Sequence, residues 1–175
     1  MSYPIAQRDE LVRMLPQLQT KYPTYAAFGA SRIEDILPKA ELSKAKVLEA
    51  HDFASAIALN DGKGTFTLRD LPIEVQFAPV NATLAADFNG DGHLDLLIAG
   101  NSYGEPPMLG RYDASYGLLL RGTGDGRFAP ADMEATNLVI QGQVRHLALL
   151  RGPHGAKLIA VARNNDTLEI LQVKQ

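Results

Sequence analysis

Apolar positions along the chain follow two different periods, and the change falls near Ala45. Within residues 8–20, Leu11, Leu15 and Leu18 recur at helical spacing with Met14 beside them, which predicts one buried helical stripe. Pro16 lies inside that stretch and predicts a kink or a new helical start, because proline lacks the N–H that the helix needs. Ser31-Arg32-Ile33-Glu34 reads as a capping box, the serine accepting from the third helical N–H while the glutamate reaches back. Ile33, Ile36 and Leu37 then give the apolar face of a short helix limited by Pro38, and residues 39–45 add a further turn. Residues 1–45 are therefore expected as a small N-terminal α-helical segment, and residues 46–175 as a β region.

In the second part the period is two. Strands are expected at 46–51, 54–59, 65–71, 80–86, 94–99, 115–120, 127–130, 144–150, 157–162 and 167–173, each short and bounded by Gly, Asn, Asp or Pro. The run Leu94-Asp95-Leu96-Leu97-Ile98-Ala99 is apolar on both faces towards its end, as suits an inner strand covered on two sides. A repeat then sets the architecture. His51-Asp52-Phe53 leads through an apolar strand to Gly62-Lys63-Gly64-Thr65-Phe66, and Tyr112-Asp113-Ala114 leads likewise to Gly124-Asp125-Gly126-Arg127-Phe128. A partial third copy starts at Asn165-Asp166-Thr167. Matching strand pairs lie between these hairpins, at 80–100 and 144–162, so the unit is roughly 60 residues and four strands, the size of a propeller blade. The expected fold is mainly β: a partial β-propeller of four-stranded antiparallel blades, with a half blade, a full blade and a last blade lacking its outer strand. Such a set leaves a sheet edge open, for the 46–51 strand, the helical segment, upstream blades or another copy to cover.

Composition changes this picture little. With 46% hydrophobic and 21% charged residues the chain is ordinary for a globular protein. A net charge of −3 gives no basic surface for nucleic acid. The absence of cysteine excludes disulfides, thiolate catalysis and sulfur-ligated zinc. The N-terminus has neither the basic nor the apolar region of a signal peptide, and no apolar run has the length to span a bilayer, so no membrane insertion is expected. The repeats favour a part of a longer exported chain, at the cell surface, in the periplasm or outside the cell.

Candidate chemistry concentrates in Asp87-Phe88-Asn89-Gly90-Asp91-Gly92-His93-Leu94-Asp95. A hard divalent cation needs several oxygens at once, and a tight turn supplies them from alternate positions. Asp87, Asn89 and Asp91 stand at positions one, three and five, His93 offers its backbone carbonyl at seven, and Asp95 its carboxylate at nine. Gly92 permits the bend that brings the later ligands round the ion. Carboxylates with an amide oxygen suit calcium better than zinc. An EF-hand would require a bidentate Glu at position twelve, where Ile98 stands, and both flanks read as strands, so the expected site is a β-hairpin calcium loop. The plainer reading is an Asn-Gly/Asp-Gly hairpin turn without metal; the full ligand set at these offsets favours calcium. The corresponding connection of the last blade, Arg151-Gly152-Pro153-His154-Gly155-Ala156-Lys157, has no carboxylate, so one metal site is expected.

These residues resemble the FG-GAP/VCBS repeat family, whose blades pair an Asp-x-Asn/Asp-x-Asp-Gly-x-x-Asp loop with a Gly-x-Gly-x-Phe hairpin. The resemblance covers about residues 52–173, and residues 71–113 look like the C-terminal region of large bacterial VCBS-repeat proteins related to cartilage acidic protein. It implies repeats carried on exported, often surface-anchored chains. The same repeat builds the propeller head of α-integrins, which implies calcium loops on one rim and partner binding elsewhere.

Other features are weaker. Gly62-Lys63-Gly64-Thr65 lacks the upstream glycine and following helix of a phosphate loop and reads as a hairpin turn. Asn81-Ala82-Thr83 and Asn165-Asp166-Thr167 match the glycosylation sequon by chance, the first lying in an expected buried strand. His51-Asp52 and Arg145-His146 have no nucleophile to serve, so no catalytic residue is assigned. Tyr103, Arg111, Tyr112, Asp113 and Tyr116 lie in a long Gly- and Pro-containing connection of the kind that holds ligands, or Tyr112 and Tyr116 pack between blades. The leading functional expectation is a non-enzymatic, calcium-stabilised module that binds a protein or glycan in adhesion. An accessory or catalytic domain of a carbohydrate-active enzyme, and a self-assembling homo-oligomer, are the alternatives.

Overall fold

The computed structural model describes residues 3–173, and the chain divides into two compact units after His51. The first unit is built from short helices: α1 (Arg8–Met14), α2 (Leu18–Lys21), α3 (Tyr25–Gly29), α4 (Ile33–Ile36) and α5 (Lys39–Leu42). Helix α1 stops two residues before Pro16 and α2 starts two after it, as the proline requires. Leu18, Tyr22, Phe28 and Ile36 form the core of this unit, with Leu11, Val12, Leu15 and Leu37 against it. Met14 does not join the stripe: it is 76% exposed, because the break at Pro16 takes the chain away before the stripe can continue past it. The expected capping box is displaced by one residue. Arg32 is the N-cap, its N–H donating to the Asp35 carboxylate at 3.0 Å, while the Ser31 hydroxyl donates to the Ala27 carbonyl of the preceding helix. Thr24 caps α3 through the Ala27 N–H.

The second unit is antiparallel β, with small helical content. Its strands are β1 (Ala56–Asn60), β2 (Phe66–Asp70), β3 (Val80–Ala86), β4 (Asp95–Gly100), β5 (Leu118–Gly122), β6 (Phe128–Pro130), β7 (Val144–Arg151), β8 (Lys157–Arg163) and β9 (Glu169–Gln172). They form a first sheet β1-β2, a second β3-β4-β5-β6 and a third β7-β8-β9. Strand counts of two, four and three among the described residues follow the repeat. The expected strand at 46–51 is not formed: all six residues are exposed, with Val47 and Leu48 more than two-thirds exposed, and no ladder pairs with them. Strand β5 opens three residues later than its apolar run suggests. Ser115 is tied to the Asn101 side chain, the Tyr116 carbonyl accepts from Ile140, and Gly117 turns the chain with φ +81° before pairing begins. A helix that the apolar pattern missed, α6 (Met133–Thr136), is capped by the Asp132 carboxylate, which accepts from the Glu134 N–H.

The second sheet is covered on both faces, as the run through β4 requires. Leu97 and Ala99 point to one side, where Ala82, Ala86 and Phe88 meet Ile140, Val144, Leu147, Ile159 and Val161 of the third sheet and its approach. Ile98 points to the other, where Leu120 and Val75 form a second cluster with Leu71, Val80, Leu96, Leu118 and Phe128. Leu120 and Val161 are fully buried, and burial of such a side chain stabilises by about 1.5–3 kcal/mol. Among the described residues no helix is long and apolar enough to cross a membrane.

Candidate functional site

The loop from Asp87 to Asp95 joins β3 to β4, closing directly on the paired residues Ala86 and Asp95. It is held by its own side chains. The Asp87 carboxylate accepts from Gly90 N–H at 2.6 Å and from Gly92 N–H at 3.0 Å. Asn89 Oδ1 accepts from Asp91 N–H at 3.0 Å, and its Nδ2 donates to Asp91 Oδ2 at 2.8 Å. Asp91 Oδ1 accepts from His93 N–H at 2.8 Å. Gly90 and Gly92 hold φ of +81° and +86°, a region that side-chain-bearing residues rarely enter, and this lets the N–H groups turn inward. The His93 N–H, then the Asn89 amide, hold the Asp91 carboxyl below its ordinary range.

Asp95 behaves differently from its neighbours. It is fully buried; Oδ2 accepts from Phe88 N–H and Oδ1 from Gly122 N–H, each at 3.0 Å. The carboxylate thus ties the loop to the end of β5. Gly122 is required there, since a Cβ on it would lie 2.0 Å from the Leu94 carbonyl oxygen. The His93 ring is turned against Gly124 of the β5–β6 hairpin, where an added Cβ would lie 2.6 Å from it.

In kind, these donors fit a hard cation: Asp87, Asn89 and Asp91 are oxygen groups on one glycine-bent turn, and an oxygen that receives one N–H keeps acceptor capacity. Asp95 differs in place: it is fully buried, and one of its two N–H donors, Gly122, lies outside the loop. Among the described residues no three His, Cys, Asp or Glu side chains are drawn into a metal-holding cluster. The corresponding connection in the third sheet is a short 3₁₀ turn, Pro153–Gly155, closing on the pair Arg151 and Lys157. Lys157 Nζ donates to the Asp87 carbonyl at 2.8 Å, across the two sheets.

The second group of candidate residues is only partly assembled. The Arg111 guanidinium lies 4.9 Å from the centre of the Tyr103 ring, and Ser102 and Tyr112 exchange backbone hydrogen bonds. Asp113 is exposed, and Tyr112 and Tyr116 are about half exposed. Tyr116 lines a separate cavity of about 200 Å³ with Val75, Phe77 and Ile98. Asn81 is exposed, contrary to expectation, and its Nδ2 donates to the Asn101 carbonyl.

Three groups were not singled out by the sequence pattern. Asn101 is nearly buried at φ +80°, donating to the Ser115 and Gly142 carbonyls and accepting from Ser115 N–H. The Gln143 and Asn164 side-chain amides meet at 2.9 Å. Lys157 is the third, and no local spacing marks it. For Asn101 the only signal is an amide directly after the buried end of β4.

The two Gly-x-Gly segments are the same turn. Asp61 N–H donates to Thr65 O and Thr123 N–H to Arg127 O, at 3.0 and 3.1 Å. In each an aspartate accepts from turn N–H groups. Asp61 is held below its ordinary range by Lys63 and Thr65 N–H, and Asp125 by the Thr123 hydroxyl and then Arg127 N–H. A carboxyl whose folded pKa is depressed contributes stability that is present above its unfolded value, about 3.9, and lost as pH falls through the lower folded value. The thermal midpoint is therefore expected to stay level from about pH 7 to 5 and to drop below about pH 4. Circular dichroism melts across that range check this, and a midpoint that climbs on acidification contradicts it.

Residues 80–120 match the FG-GAP repeat. The matched stretch runs through β3, the 87–95 loop, β4, the long connection and the first three residues of β5. It contains every residue proposed above for the cation and for a ligand. Neither a curated protein nor a solved structure matches the chain.

Proposed function

We propose that the chain is a calcium-stabilised, non-enzymatic β-propeller repeat module that binds a protein or glycan in an exported protein. The observation that carries this reading is the 87–95 loop: an oxygen-rich, glycine-bent turn at the closed end of β3–β4, inside the stretch that matches the FG-GAP repeat. Asp87, Asn89 and Asp91 provide side chains, His93 its carbonyl, and Asp95 closes the loop from its buried position. The three sheets are then a half blade, a full blade and a blade without its outer strand. Calcium ties the turn between the first two strands of the full blade and leaves the surfaces around Tyr103, Arg111, Tyr112, Asp113 and Tyr116 for the partner.

Melting in calcium and in EDTA tests the reading. At about a hundredfold excess over its dissociation constant, calcium adds about 2.7 kcal/mol to the folded state, a rise of several degrees in the midpoint. Asp91→Ala is expected to abolish the difference between the two buffers. If the wild-type midpoint is the same in both at millimolar calcium, the loop is a turn and nothing more.

A further inference from the structure

We infer that Lys157 is a resident counter-cation of the 87–95 loop, contributed by the neighbouring sheet, and that it weakens the calcium affinity of that loop. The inference rests on the calcium reading above. Lys157 occupies in the third sheet the place that Asp95 occupies in the second: Ala86 pairs with Asp95 and Arg151 with Lys157, each pair being the last before its connection. Where one sheet places a carboxylate, the next places an ammonium, and that ammonium is aimed at the neighbouring loop. Its partner is the carbonyl of Asp87, the first residue of the loop, at 2.8 Å and partly buried, although the two residues lie 70 apart in sequence.

The Asp87 carbonyl is not among the oxygens assigned to the ion, so lysine and calcium do not compete for one atom. They meet through their charges. The loop carries Asp87, Asp91 and Asp95. Lysine adds a positive charge at the first residue of the loop that would hold the ion, and hard-cation affinity follows the net charge of the site as well as its rigidity. Rigidity works in the opposite direction, since the ammonium anchors the loop. That anchor is one bond beside the five that the loop makes through Asp87, Asn89 and Asp91. The electrostatic effect is therefore the larger, and it raises the calcium concentration that the loop requires. The short, carboxylate-free connection of the third sheet is then a regulator of its neighbour's site.

Calcium titration calorimetry on the full chain tests this, with Lys157→Met, Lys157→Gln and Lys157→Arg beside wild type and circular dichroism as the check on folding. Removing the charge in Lys157→Met is expected to tighten calcium binding about threefold to tenfold. Lys157→Gln keeps a donor for the Asp87 carbonyl without the charge and is expected to tighten it similarly, which also serves if the methionine variant does not fold. Lys157→Arg keeps the charge and stays within about twofold of wild type. Wild type that binds calcium while Met and Gln variants bind it equally or more weakly overturns the inference and leaves the calcium reading standing. Wild type that takes up no calcium overturns both.

Discussion

Replacing Asp95 with alanine is expected to cost the β unit about 3–5 kcal/mol, and to cost as much in EDTA as in calcium. The carboxylate is fully buried and receives one N–H from the loop, at Phe88, and one from the end of β5, at Gly122. Each bond to the carboxylate contributes about 1.5–3 kcal/mol, and removing the acceptor leaves two amide groups buried without partners. The alanine side chain cannot replace them, and the close approach of Leu94 to Gly122 leaves little room for water. Small domains hold only about 5–15 kcal/mol in all, so this variant stands near the edge of unfolding. Asp95→Asn is expected to fall between, because its amide has one oxygen for two donors. Denaturant unfolding in both buffers measures the effect. A loss seen only with calcium present would assign the carboxylate to the ion alone and refute its role as a clamp.

The second large effect is expected at the opposite end of β4. Asn101→Ala is expected to cost about 3–5 kcal/mol, from three side-chain hydrogen bonds and a left-handed backbone position. Its amide joins the Ser115 backbone, before β5, to the Gly142 carbonyl, before β7, so it fastens the second sheet to the approach of the third. At φ +80° asparagine is tolerated and alanine is strained. Asn101→Gly separates the two causes: it loses the same bonds and keeps the conformation, so it is expected to recover about 1–2 kcal/mol relative to alanine. Equal stability of the two variants would remove backbone strain from the account.

Much of this was legible in the chain because it is local. A period of two between glycine-rich turns marks β3 and its neighbours, and the two Gly-x-Gly hairpins close with the same backbone bond. Where pattern and structure part, the cause is a contact made at a distance. Residues 46–51 hold a short apolar run that reads as a strand, yet a strand exists only where another offers it hydrogen bonds. Ser115 and Tyr116 read as the opening of β5, but their backbone groups are claimed by Asn101 and Ile140. Met14 fits the helical stripe by spacing and lies outside it because Pro16 breaks the helix.

The loop divides along the same line. Residue types at alternate positions and glycines at the bends follow from sequence alone, since a short turn brings its own side chains to its own N–H groups. The bonds made by Asp87, Asn89 and Asp91 accordingly follow their order in the chain. The tertiary structure decided the rest. Asp95, equal to the others by spacing, is buried by the packing of β4 against β5 and held by an N–H 27 residues away. Lys157, which no spacing connects to the loop, reaches it because the packing of β7 against β3 brings the β7–β8 connection beside the β3–β4 one. Sequence determines which groups a turn can present; only the stacking of sheets decides which charges and N–H donors surround them.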